Sequence, residues 1–118
     1  MVKLGVVVFA DTETHADLAR VVNALLLVRE AEEAGDEVRL IFDGAGVKWI
    51  GELANPGHQS HKLYQSVKGR ITGACMYCAA AFGATEALTA EGVPLLDEYH
   101  RHPSLRRLVA SGFEVLVF

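Results

Sequence analysis

Apolar residues at consecutive positions, without the polar alternation of a half-exposed strand, fill Leu4-Gly-Val-Val-Val-Phe9. A run of this kind suits a strand covered on both faces, and such strands belong to parallel sheets flanked by helices. The residues that follow agree. Thr14, with Asp17 three residues on, makes a capping box for a helix of about 20 residues that ends at Gly35. Leu18, Val21, Val22, Leu25 and Val28 keep helical spacing along it. Ala24, Leu26 and Leu27 widen the apolar stripe beyond what one sheet face needs, which predicts a second helix or a second subunit over the excess. Glu37-Val-Arg-Leu-Ile-Phe42 then reads as a second strand that stops at Asp43-Gly44.

The alternation continues to the end of the chain. Residues 45–68 form a looser helical region broken by Asn55-Pro56-Gly57. A third strand, Gly69 to Ala74, runs to the cysteines, and the helix after them extends to about Glu91. Val93-Pro-Leu-Leu96 reads as a short strand, Pro103 as the first turn of a helix through Ala110, and Phe113–Phe118 as a last strand. Right-handed crossovers between such strands give a single α/β domain over residues 1–118. The expected form is a three-layer α/β/α sandwich on a mostly parallel sheet of about five strands. Sites in this architecture gather where loops leave the carboxyl ends of the strands. Three loops qualify, Ala10–Thr14, Asp43–Trp49 and Cys75–Cys78. They are expected to converge, with Asp11, Asp43, Gly44 and Gly46 lining a pocket beside the cysteines.

Charge and composition narrow the classes of function. The net charge is -4, from 11 Lys+Arg against 15 Asp+Glu, which argues against nucleic acid as a partner. Hydrophobic residues make up 51% of the 118 residues and mean hydropathy is +0.23, high for so small a chain, so part of the surface is expected to meet another copy. No apolar run approaches the ~20 residues of a membrane span. The opening residues enter a strand directly, which predicts no secretory leader. Two cysteines in such a chain point to a reducing compartment, and a cytoplasmic location is expected.

Both cysteines fall in Cys75-Met-Tyr-Cys78, between the third strand and an alanine-rich helix. A thiol at a helix N-terminus meets unpaired backbone N–H groups, which favour thiolate, the reactive form. Cys75 sits at the cap and Cys78 one turn inside. The pair could carry a persulfide on Cys75 with help from Cys78, cycle as a dithiol, or pack as two buried thiols. With His58 and His61 it could also complete a Cys2His2 zinc site. His100-Arg-His102-Pro reads as a surface loop, with His100 a candidate proton shuttle. Asp11-Thr-Glu-Thr-His15 lies where a flavodoxin-like chain would hold a flavin phosphate, but its carboxylates and lack of glycine disfavour it, and no cofactor is expected. Gly44-Ala-Gly46 is a fragment of a dinucleotide fingerprint, read as a tight turn or as a close backbone approach to the cysteine loop. Trp49 is expected to anchor the core or an interface.

In these segments the chain resembles the DsrE/DsrF-like family of small α/β proteins, in particular its CxxC-bearing branch. The likeness lies in Leu4–Phe9, Ile41-Phe-Asp-Gly-Ala-Gly46, Cys75-Met-Tyr-Cys78-Ala-Ala-Ala-Phe-Gly83, Val93-Pro-Leu-Leu-Asp-Glu98 and Phe113–Phe118. The resemblance implies homo-oligomers such as trimers or hexamers, and a sulfur carrier or sulfurtransferase-like activity exchanging sulfur with a donor or acceptor protein. It also implies that Cys75, eight residues before Gly83, is the sulfur-bearing cysteine, with Gly83 beside the site. Many members carry arginine where this chain has Phe82. The expected function is thus a persulfide on Cys75. The alternatives are a non-catalytic oligomeric binding module of the same fold and a zinc protein.

Overall fold

The computed structural model describes residues 1–118. Its strands are β1 (Lys3–Val8), β2 (Glu37–Phe42), β3 (Ile71–Cys75), β4 (Leu95–Leu96) and β5 (Glu114–Val117). They form one sheet in the order β4-β3-β2-β1-β5, and every pairing is parallel. Six helices connect or flank them: α1 (His15–Glu33), α2 (Trp49–Leu53), α3 (His61–Val67), α4 (Met76–Ala81), α5 (Thr85–Ala90) and α6 (Leu105–Ala110).

Strand order and crossover hand together dictate how the helices are shared between the faces. From β1 to β4 the chain steps one way across the sheet, so right-handed crossovers put α1 to α5 on one side. The step from β4 back to β5 reverses direction and delivers α6 to the opposite side. Side-chain alternation confirms the split. Leu4, Val6 and Val8 of β1 join a core of 25 buried residues with α1 to α5, whereas Val7 and Ile41 join a cluster of only four with Leu108 and Phe113. The sandwich is real, but one outer layer is a single short helix.

The long helix α1 begins with the expected capping box: the Thr14 hydroxyl accepts the Asp17 N–H, and the Asp17 carboxylate accepts the Thr14 N–H. Such a cap is worth about 1 kcal/mol. The excess apolar width is only partly covered. Ala24 is buried, α3 packs alongside α1, and Leu26 stays 47% exposed.

Three expectations need correction. The helix after the cysteines is two helices, because Gly83 adopts φ +66° and closes α4. The Ala84 N–H reaches the Ala79 carbonyl and the Gly83 N–H that of Ala80, a Schellman termination that an alanine-rich run does not announce. Pro103 lies two residues before α6, just outside its N-cap Ser104. The third strand starts two residues late, at Ile71, after a 3-10 turn over Lys68–Arg70, and runs into Cys75 itself.

Candidate functional site

Cys75 is at once the last residue of β3 and the N-cap of α4. Its Sγ accepts the Cys78 N–H at 3.4 Å, the contact expected of a thiol at a helix start. Cys75 is fully buried, and Cys78 is 8% exposed. On the adjacent strand Asp43 follows β2 and caps the 3-10 turn Gly44–Lys48, its Oδ1 accepting the Gly44 N–H at 2.8 Å. The same oxygen accepts the Cys78 thiol at 3.7 Å. Asp43 is 6% exposed, and none of the eight ion pairs in the molecule includes it.

The fourth member comes from a segment read as surface loop. Tyr99 and His102 exchange two backbone hydrogen bonds, 2.9 and 2.8 Å, around a two-residue turn. His100 (φ 47°) and Arg101 (φ 67°) both occupy the left-handed region. That is the signature of a type I′ turn built without its usual Asn-Gly, a costly conformation for side chains of this size. The turn is tied to the cysteine helix, because the Arg101 carbonyl accepts the Tyr77 N–H at 3.0 Å. Tyr77 in turn lies against the His102 ring (centroids 5.1 Å apart) and under the Arg101 guanidinium. The outcome is a half-buried His102 whose Nδ1 stands 3.1 Å from Cys75 Sγ. The donor atoms of Asp43, Cys75, Cys78 and His102 all lie within 4.8 Å of one another.

The helix-start argument for a ready thiolate does not carry the electrostatics. Burial pushes the Cys75 thiol up to about 12; the Cys78 N–H opposes this, while the Cys78 thiol and the Asp43 carboxylate add to the rise. In the resting protein Cys75 is therefore a thiol that must pass its proton to a neighbour before it can attack or ligate.

Of the residues expected around the pocket, Cys75, Cys78 and Asp43 come together. The others stand apart. Asp11 forms an ion pair with Lys48 at 2.5 Å, which holds its carboxyl below the usual range, and Lys48 also reaches Glu13 at 3.4 Å. The first loop thus docks on the second without reaching the cysteines. Gly44 (φ 52°) would bring a Cβ to 3.0 Å from the Phe9 ring, and a Cβ on Gly46 would sit 2.1 Å from the Val8 carbonyl oxygen. The close backbone approach is made to β1, not to the cysteine loop. The 3-10 turn itself packs on α4. Gly83 ends α4, with nothing within 4 Å of its Cβ position. Trp49 is a core anchor whose indole N–H donates to the Ala10 carbonyl at 2.9 Å.

The histidines proposed for zinc are engaged elsewhere. His61 Nδ1 pairs with the Leu53 carbonyl at 2.7 Å, and His58 Nδ1 accepts the Ser60 N–H at 3.0 Å. His100 packs edge-on against Tyr99, outside the cysteine cluster. Only the turn geometry distinguishes His102 from His100. The one available signal was a pair of strand-like flanks, Leu95-Leu96 and Phe113–Phe118, which bring the intervening segment past the carboxyl end of β3.

Comparison with known proteins agrees on architecture and is silent on activity. No protein-family profile matches the chain. The uncharacterized protein MJ0733 of Methanocaldococcus jannaschii is 28% identical over 94 residues, covering 80% of this chain and 76% of that protein. A conserved protein of unknown function from Bacteroides thetaiotaomicron, BT1422, superposes with a TM-score of 0.64 over 97% of this chain and 94% of its own, at 16% identity. The fold is shared. No helix of the chain is long and apolar enough to cross a membrane.

Proposed function

We propose that the chain handles sulfane sulfur at Cys75, as a carrier or sulfurtransferase-like protein that works in the cytoplasm as a homo-oligomer. The observation that carries this reading is the 3.1 Å contact between Cys75 Sγ and His102 Nδ1 at a sulfur that also accepts the Cys78 N–H. A nucleophile and a base within hydrogen-bond reach compensate for a thiol that burial keeps protonated. The resemblance of the cysteine segment to DsrE/DsrF-like proteins supports the same chemistry.

In the proposed step His102 accepts the Cys75 proton and the thiolate attacks the outer sulfur of a persulfide donor. A Cys75 Sγ–S bond forms, the donor's S–S bond breaks, and the donor leaves as a thiol carrying the proton from His102. No net oxidation occurs. The Cys78 N–H in the first turn of α4, which already reaches Cys75 Sγ, stabilises the anionic persulfide. Transfer to an acceptor thiol reverses the sequence. Alternatively, Cys78 attacks Cys75 Sγ, expels hydrosulfide and leaves a disulfide that a dithiol reductant must reopen.

The test is intact-mass analysis after incubation with an inorganic polysulfide. The wild type is expected to gain sulfur, Cys75→Ser to gain none, and His102→Ala to load about 100-fold more slowly. A wild type that gains nothing, or a Cys75→Ser variant that loads as well, removes the proposal and leaves a non-catalytic binding module of the same fold.

A further inference from the structure

We propose that Asp43, Cys75, Cys78 and His102 form a four-ligand site for a zinc-class divalent cation. The inference is independent of sulfur transfer. Three observations support it. The donor set is two sulfurs, one imidazole nitrogen and one carboxylate oxygen, the mixture that borderline-soft ions with tetrahedral preference select over calcium or magnesium. These four atoms already form a compact group, none more than 4.8 Å from another, with one S–N pair at 3.1 Å and one S–O pair at 3.7 Å. Ligand bonds of about 2.0–2.3 Å place tetrahedral neighbours about 3.3–3.8 Å apart, so the donors close on an ion by shifts of about half an ångström each. Finally, Asp43 is the one buried carboxylate of the molecule, and no lysine or arginine pairs with it. A divalent ion would supply the missing positive charge.

The supporting shell is present as well. Cys78 N–H donates to the Cys75 sulfur, Gly44 N–H to the Asp43 carboxylate, the Tyr99–His102 backbone hydrogen bonds hold the turn that carries His102, and the Tyr77 ring packs against its imidazole. Outer partners of this kind orient metal ligands and set their affinity. Binding would displace one proton from each thiol to solvent. It would also occupy the sulfur needed for a persulfide, so metal and sulfane sulfur are alternative occupants of Cys75.

The experiment uses the whole protein, reduced, stripped with a chelator and titrated with cobalt(II) and then zinc(II) under anaerobic conditions. One equivalent of cobalt per chain should develop tetrahedral visible bands and thiolate charge-transfer absorption, and zinc should displace it. X-ray absorption of the zinc form should show two sulfur and two nitrogen or oxygen neighbours. Asp43→Asn and His102→Ala should each weaken zinc binding about 10–100-fold, while a His58→Ala/His61→Ala variant binds as the wild type does. Sub-stoichiometric uptake, a four-sulfur spectrum, or full affinity in both Asp43→Asn and His102→Ala would overturn the site. The absorption spectrum of the wild type decides the matter even if a variant fails to fold. No sulfur donor enters the measurement, so its outcome is separate from that of the loading test.

Discussion

At the scale of single residues, the turn that presents His102 carries the clearest stored strain. His100 and Arg101 hold positive φ where Asn and Gly would do so at little cost. A His100→Asn/Arg101→Gly variant is expected to raise stability by about 1 kcal/mol, read as a higher urea midpoint with unchanged slope. Gly46 is the opposite case. A methyl there would collide with the Val8 carbonyl at 2.1 Å, backbone against backbone. Gly46→Ala should therefore cost about 3 kcal/mol or more, whereas Gly69→Ala, with open space at its Cβ, should stay within about 0.5 kcal/mol. The same residues show what a sequence can reveal of a site. Cys75, Cys78 and Asp43 were legible, because a CxxC at a strand-to-helix junction and an Asp-Gly closing a strand are local signals. His102 was not, since its role depends on a hairpin turn of unfavoured composition, and its neighbour His100 looks equally suitable in one dimension. Asp11 resembles a site residue in one dimension because it follows a strand, and only its ion pair with Lys48 shows that its carboxylate is engaged elsewhere.

At the scale of elements, strands and helix order followed directly from apolar runs and caps, while the breaks did not. Gly83 splits α4 from α5 through backbone conformation alone, and propensity in Ala79-Ala80-Ala81 favours continuation. The separated α5 is held by its far end. Tyr64 of α3 is buried and its hydroxyl donates to Glu91 at 2.5 Å, just past α5, where Lys68 also arrives at 3.1 Å. The Tyr64 hydrogen bond first, and Lys68 after it, lower the Glu91 carboxyl below its usual 4.5, while burial and the same bond raise the Tyr64 phenol. A depressed carboxyl stabilises the fold above its unfolded value and loses that contribution as pH falls through its folded value. Tyr64→Phe should thus cost about 1–2 kcal/mol at neutral pH, and the gap to wild type should narrow as pH drops below about 4. Paired urea titrations at the two pH values read this directly.

At the scale of the whole molecule, the all-parallel order β4-β3-β2-β1-β5 decides where chemistry can sit. The strand order reverses between β1 and β5, the usual place for a ligand crevice, yet the cysteines lie at the carboxyl ends on the other wing of the sheet. Exposed Leu26, Phe82, Val109 and Val117 leave apolar surface for association. Light scattering is expected to return a multiple of the 12.8 kDa chain mass, and a monomer at micromolar concentration would end the idea of self-assembly. The uneven layering has a kinetic consequence. The segment from Glu98 to Phe113 holds both His102 and α6; its apolar anchorage is the small cluster around Leu108 and Phe113, added to the few contacts its turn makes with Cys75 and Tyr77, whereas α1 to α5 share the large core. It should behave as a separate foldon that opens at lower free energy than the sheet, with faster amide exchange in α6 than in α1. Each such opening would withdraw His102 and bare the buried Cys75 sulfur. The encounter rate of that sulfur with solution would then follow the lifting of a flap rather than the reactivity of a thiol.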